Sequence, residues 1–119
     1  MAGMKTIGVV GSGQMGSGIA QLAAINGSDT WVCDVDPDAL SRASRALSTS
    51  IQRLVSTSHL SQTAGTDALR HLWFTSNLEE LSSADIIIEA IVESEEAKKK
   101  LFIELDKITK PSTILASNT

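Results

Sequence analysis

At 119 residues the chain has room for one domain and one packed core. Its 42% apolar content suits such a core, while 14 acidic against 10 basic residues give a net charge of −4, with no basic cluster of the kind that grips nucleic acid. The single cysteine, Cys33, excludes an internal disulfide and points to packing in a reducing compartment, and no apolar stretch approaches the length of a membrane span. The N-terminus runs straight into the first apolar segment, so no targeting segment, no membrane partner and a cytoplasmic location are expected.

The first predicted element is a strand over residues 5–10, followed at once by Gly11-Ser12-Gly13-Gln14-Met15-Gly16. This is G-x-G-x-x-G between a strand and a helix, the order that a dinucleotide pyrophosphate needs. Gly11 turns the chain off the strand, Gly13 lets a phosphate approach the backbone, and Gly16 lets the helix pack closely. The helix, predicted over 14–26 with Met15, Ile19, Leu22 and Ala23 on one face, turns its free N–H groups and positive dipole end toward the phosphates. An acidic chain can bind an anion in this way without a basic residue in the loop.

Asn26-Gly27 ends the helix, and a second strand is predicted over 30–34. It closes on Asp34, 18 residues beyond Gly16 and near the roughly 20 that the fingerprint expects. A carboxylate there accepts hydrogen bonds from the adenosine ribose and repels a 2′-phosphate, which favours NAD over NADP. Asp36-Pro37 then supplies an N-cap and first residue for a long helix with Leu40, Ala43, Leu47, Ile51, Leu54 and Val55 at helical spacing. A further helix over 61–69 completes a helical excursion before a short third strand, Leu72-Trp73-Phe74-Thr75.

Asn77-Leu78-Glu79-Glu80 has the spacing of a capping box and opens a short helix. The run Ala84-Asp85-Ile86-Ile87-Ile88 predicts a central strand buried on both faces. A helix over 94–110 carries Ala97, Leu101, Leu105 and Ile108 inward and the triplet Lys98-Lys99-Lys100 on a solvated face. Pro111 stops it, and a last strand is predicted over 113–116. The alternation gives an α/β fold: a doubly wound parallel sheet of the Rossmann type, with a helical excursion between the second and third strands. Asp34, Glu89–Glu93 and Ser117–Thr119 all fall at carboxyl ends of strands, where ligands of such sheets bind.

Three stretches together resemble the N-terminal NAD-binding domain of the L-3-hydroxyacyl-CoA dehydrogenases: residues 7–21 around the glycine loop, Asp85-Ile86-Ile87-Ile88-Glu89-Ala90-Ile91-Val92-Glu93-Ser94, and Ala116-Ser117-Asn118-Thr119. The resemblance runs the whole length of the chain. It implies oxidation of a 3-hydroxyacyl-CoA to the 3-ketoacyl-CoA with NAD as cofactor, in a fatty-acid (β-oxidation) setting. It implies cofactor contacts from Gly11, Ser12, Gly13, Gln14, Met15, Gly16, Asp34, the Ala90-Ile91 backbone, Glu93, Lys98 and Asn118. It also implies a CoA contact at Ser50, although the segment after Arg53 lacks a lysine to meet a CoA phosphate. No metal site is expected.

The family's catalytic His lies in a later H-F-F-N-P-type motif and pairs with a Glu further on, and neither is among these residues. His59 and His71 do not match that motif and read as surface histidines. The chain therefore reads as one NAD-binding domain, 1–119, of a longer protein. By itself it is expected to be inactive, lacking the helical domain that in this family completes the acyl-CoA site and a homodimer. Another Rossmann dehydrogenase of the 3-hydroxyacid type, or a non-catalytic NAD-binding protein, are the alternatives at this point.

Overall fold

A computed structural model describes residues 5–92 and 94–117. The strands β1 (Thr6–Val10), β2 (Asp29–Cys33), β3 (Leu72–Thr75), β4 (Ile86–Glu89) and β5 (Ile114–Ser117) form one parallel sheet in the order β3-β2-β1-β4-β5. The helices are α1 (Gln14–Ile25), α2 (Pro37–Ser56), α3 (Gln62–Arg70) and α4 (Glu95–Ile108), with a single 3₁₀ turn at Leu78–Leu81. The order reverses between β1 and β4, so the crevice above these two strands is the switch point of a doubly wound sheet.

Strand register sorts the core into two faces. Val9 and Val32 pack with Ala20, Leu40 and Leu47 beneath α1 and α2, and Ala24, Ile51 and Ala68 extend this layer under α3. Val10, Cys33 and Ile87 face the other way, against Leu81 of the 3₁₀ turn and Leu105 of α4. On that face Trp31 and Trp73, register partners on β2 and β3, stack with centroids 5.5 Å apart.

Three expectations change. The buried face of α1 is Gly16, Ala20 and Ala24, while Met15 and Leu22 are 62% and 67% exposed. A helix lying this close to a sheet turns its smallest side chains inward, and the apolar bulk goes to its flank. Strand β4 is covered on one face only: Ile87 and Glu89 are buried, while Ile86 and Ile88 are half-buried. The packing of α1 is on β1 and β2 and that of α2 on β3, so their layer is thinner over β4. Asn77 does cap the 3₁₀ turn, accepting from the Glu79 N–H, but its own N–H goes to the Thr75 hydroxyl and not to Glu80. The turn is too short for a reciprocal box.

The amino end of the sheet is pinned by Asp85. Its carboxylate accepts from the Thr6 N–H and from the Lys110 ammonium, both at 2.9 Å. The Thr6 N–H and the Lys110 side chain hold this carboxyl below the usual range. A depressed native pKa gives stability that is present above the ordinary carboxylate value, near 4, and is lost as pH falls through the native value. Asp85→Asn should therefore unfold at lower urea than the parent at pH 7, and the gap should close as pH drops below about 4. A gap that stays constant between pH 7 and 3 would remove this role from Asp85.

A second stability prediction concerns the helix approach. A Cβ on Gly16 would be driven into the carbonyl oxygen of Gly11, with backbone on both sides. Gly16→Ala should cost about 3 kcal/mol or more in urea unfolding, beyond ordinary overpacking.

Candidate functional site

The glycine loop sits between two strand ends. Gly11 donates its N–H to the Cys33 carbonyl at 2.8 Å, and Ala90 donates to the Val10 carbonyl at 2.8 Å, so β2 and β4 hold the loop from either side. Gly11 has φ +107°, a conformation that side chains rarely adopt, and its own Cβ would meet the Ala90 carbonyl. At Gly13 the situation is reversed. Beyond its chain neighbours no heavy atom lies within 4 Å of where its Cβ would stand, and Gly13 lines the clefts on both sides of the loop.

The helix that follows is unusual among the four. Side chains of Asp36, Ser61 and Ser94 cap α2, α3 and α4, whereas α1 begins at Gly13 with no side-chain cap and no acid in its first turn. Its first N–H groups are left to an outside acceptor, with the positive end of the dipole behind them. That donor set and the space at Gly13 fit a pyrophosphate.

Asp34 stands one residue past β2, at the rim of a cleft of about 250 Å³ that is also lined by Gly11, Ser12, Gly13, Ala90, Ile91 and Leu101. Its Oδ2 accepts from the Ser12 N–H at 3.0 Å and the Ser12 hydroxyl at 2.7 Å, and its Oδ1 from the Asp36 N–H at 3.0 Å. Partial burial pushes the Asp34 carboxyl up, but the Asp36 N–H, both Ser12 donors and the Arg42 charge together hold it below the ordinary value. Asp34 is therefore ionised and fixed in direction. Behind it, burial and secondarily the Asp34 charge push the Cys33 thiol up to about 11, which makes it a packing residue rather than a nucleophile.

Of the residues expected at the site, Gly11, Ser12, Gly13, Asp34, Ala90 and Ile91 line this one cleft. Gln14 lies with Ser50 on a second cleft of about 460 Å³ between α1 and α2. Met15 is exposed and lines neither. Lys98 is not on a solvated face with Lys99 and Lys100: its ammonium is turned inward, 3.8 Å from Glu89. Glu93 and Asn118 lie outside the described residues.

Three residues have partners or places at the site that the sequence does not show, and of these only Arg42 goes unnamed in the sequence reading. Ser12, expected as a cofactor contact, is also the hydrogen-bond partner of Asp34. Arg42 lines the larger cleft and supplies the cation that the segment after Arg53 lacks. Glu89 is fully buried at the end of β4, a position its register opposite Val10 marks as inward. A charge that closes a run of isoleucines on the covered face is a signal that periodicity alone could have raised.

The histidines stand apart from these clefts. His59 is exposed in the turn after the twenty residues of α2, with Nδ1 2.8 Å from the Thr57 hydroxyl. His71 closes α3 ahead of β3, its Nδ1 2.6 Å from the Asp67 carbonyl and its Nε2 4.0 Å from Asp29, at the amino end of the sheet. No helix among the described residues is long and apolar enough to cross a membrane.

Comparison with known proteins agrees with this geometry. The family model for the NAD-binding domain of 3-hydroxyacyl-CoA dehydrogenase matches residues 6–119. The chain belongs to that family. It is an NAD-binding domain of the Rossmann type, and its relatives are full-length enzymes of which it spans about 40%. One relative, 3-hydroxybutyryl-CoA dehydrogenase of Bradyrhizobium diazoefficiens, is 40% identical over 116 residues, which is 98% of this chain and 40% of that protein. The crystal structure of FadB2 from M. tuberculosis superposes with a TM-score of 0.93 at 38% identity, over 98% of this chain and 41% of that one. That of 3-hydroxybutyryl-CoA dehydrogenase from Escherichia coli K12 gives a TM-score of 0.94 at 34% identity, over 98% and 25%.

Two substitutions separate the loop from the acid. Gly13→Ala should cost only about 1 kcal/mol of stability, the step from Gly to the poorer N-cap Ala, yet weaken NAD binding about tenfold by filling the phosphate position. Asp34→Ala should weaken NAD by about 1.5–3 kcal/mol in a calorimetric titration, the scale of hydrogen bonds to a charged group. Unchanged NAD affinity in either variant would take that residue out of the site.

Proposed function

We propose that these residues form the cofactor half of an NAD-dependent dehydrogenase that oxidises a 3-hydroxyacyl-CoA to the 3-ketoacyl-CoA. The observation that carries the reading is the pairing of an uncapped α1 with an ionised, pre-aimed Asp34 across one cleft. Bound NAD supplies the hydride acceptor, and the protein supplies position and field.

On this reading the N–H groups at the start of α1 hold the pyrophosphate. Gly13 leaves it room, and Gln14, Met15 and Gly16 bring their backbone to it. Asp34 takes the adenosine ribose and repels a 2′-phosphate. In the ligand-free chain the Ser12 hydroxyl occupies a lone pair that a ribose hydroxyl also wants, so Ser12 keeps the carboxylate aimed until the sugar arrives. Val10, Ile91 and Leu101 give apolar walls for the base. The nicotinamide half extends toward the ends of β4 and β5, where Lys98 stands and where the resemblance adds Glu93 and Asn118.

The larger cleft, with Ser50 and Arg42, takes the CoA portion of the substrate, the cation meeting a phosphate. The base that removes the hydroxyl proton comes from outside these 119 residues, since neither described histidine lies at the clefts. The complete enzyme is a homodimer on the same reading.

The test uses the purified chain. It should bind NADH at least about tenfold more tightly than NADPH, as a desolvated carboxylate facing a phosphate requires, and it should show no turnover of acetoacetyl-CoA. Equal affinity for the two cofactors would reject the Asp34 reading, and robust turnover would reject the assignment of the base.

A further inference from the structure

Among the described residues, Glu89 is the only charged side chain with no exposure at all. It ends β4 between Val10 of β1 and Ser117 of β5. Its Oε2 accepts from the Ile91 N–H at 2.7 Å, and its Oε1 from the Ser117 hydroxyl at 2.8 Å. The Lys98 ammonium lies 3.8 Å from Oε1 with only 17% of its side chain exposed. Two hydrogen bonds and an opposite charge are the partners that a buried carboxylate needs. The pair is thus close to neutral as a unit, and each charge is uncompensated if the other is removed.

Its placement relative to Asp34 matters. Asp34 follows β2 and Glu89 ends β4, on opposite sides of β1 and of the glycine loop. A dinucleotide lying across the switch point with its adenosine ribose at Asp34 brings its other half to the Glu89 side. That half is where the oxidised and reduced cofactors differ: the nicotinamide ring carries a positive charge in NAD+ and none in NADH.

We infer that Glu89 and Lys98 form a charge-balancing pair that sets the relative affinity for oxidised and reduced cofactor. Glu89 is a positioning residue. It touches no ligand itself, and acts by its field and by fixing the Lys98 ammonium, the Ile91 N–H and the Ser117 hydroxyl around the ring end of the cleft. This inference rests on the NAD reading of the preceding subsection and deepens it.

Opposite-signed effects follow. Glu89→Gln keeps the shape and leaves the Lys98 charge unbalanced, which disfavours the cationic ring. Lys98→Met leaves the Glu89 charge unbalanced, which favours it. Each change should move the ratio of NAD+ to NADH dissociation constants by about three- to tenfold, the scale of one charge acting over roughly 10–15 Å through an intermediate dielectric. The double variant should return the ratio toward that of the parent.

The measurement is a pair of titrations, NAD+ by calorimetry and NADH by fluorescence, on the parent chain and the three variants, with circular dichroism to check folding. A merely structural role would weaken both cofactors in proportion and leave their ratio alone. Ratios that move in opposite directions support the inference; ratios that stay fixed, or move the same way, overturn it. If Glu89→Gln does not fold, Lys98→Met, its fold checked by circular dichroism, decides alone: an unmoved ratio overturns the pair. Failure of the parent chain to bind either cofactor would overturn the NAD reading itself and this inference with it.

Discussion

The carbonyl oxygen of Gly11 lies where a side chain on Gly16 would begin, so α1 can rest against β1 only because position 16 has none. This contact sets the height of α1 above the sheet. It explains why the helix buries Gly16, Ala20 and Ala24 and leaves Met15 and Leu22 outside. It also fixes the direction of the helix axis, and with it the line along which the first N–H groups point. An anion site made of backbone donors has no adjustable side chains, so its geometry is only as good as the packing behind it. The same glycine that costs helix propensity at position 16 therefore gives the loop its geometry.

Two carboxylates flank that loop, and the fold treats them differently. Asp34 is half-exposed, ionised by three donors and open to a further partner at the rim of its cleft. Glu89 is sealed in and takes its partners from three different segments: the loop after β4, the end of β5 and the first turns of α4. The first arrangement suits recognition, because an incoming hydroxyl can replace Ser12 at little cost. The second suits rigidity, because removing any one partner leaves a buried charge or hydrogen bond unmet. On the proposed reading an adenosine ribose enters and leaves at Asp34 while the ring end beside Glu89 stays in place, and the two acids divide along that line.

Much of this was legible in the sequence for identifiable reasons. Strand and helix positions follow from apolar periodicity, and the start of α2 from Asp36-Pro37, where Asp36 does cap the helix. The glycine loop and Asp34 carry a spacing that few other structures impose. What escaped depends on through-space neighbours. Lys98 looks like one of three surface lysines until β4 supplies Glu89 beneath it. The place of Glu89 at a strand end is legible, but its burial against Ser117 and Lys98 is not. Arg42 lies in an ordinary amphipathic helix, and only the packing of α2 beside α1 brings it next to Ser12 and Gln14. The face of α1 was misread because bulk, not closeness, dominates hydrophobic periodicity, and at a close helix–sheet contact closeness decides.

A chain of net charge −4 that binds a dianionic pyrophosphate has to do so at short range. Its overall field repels the ligand, and no basic cluster steers it in. Partial charges at the uncapped end of α1 act over the first turn only, and the loop lysine or arginine that other phosphate sites use is absent from residues 11–16. Locking Asp34 onto Ser12 and Asp36 spends part of its field on fixed dipoles before the phosphate arrives, and pairing Glu89 with Lys98 cancels most of the other acid's. What remains near the loop is the directed attraction of N–H groups, which distinguishes a phosphate at contact from a phosphate nearby. The consequence is a site that holds the pyrophosphate by fit at the glycines rather than by net charge.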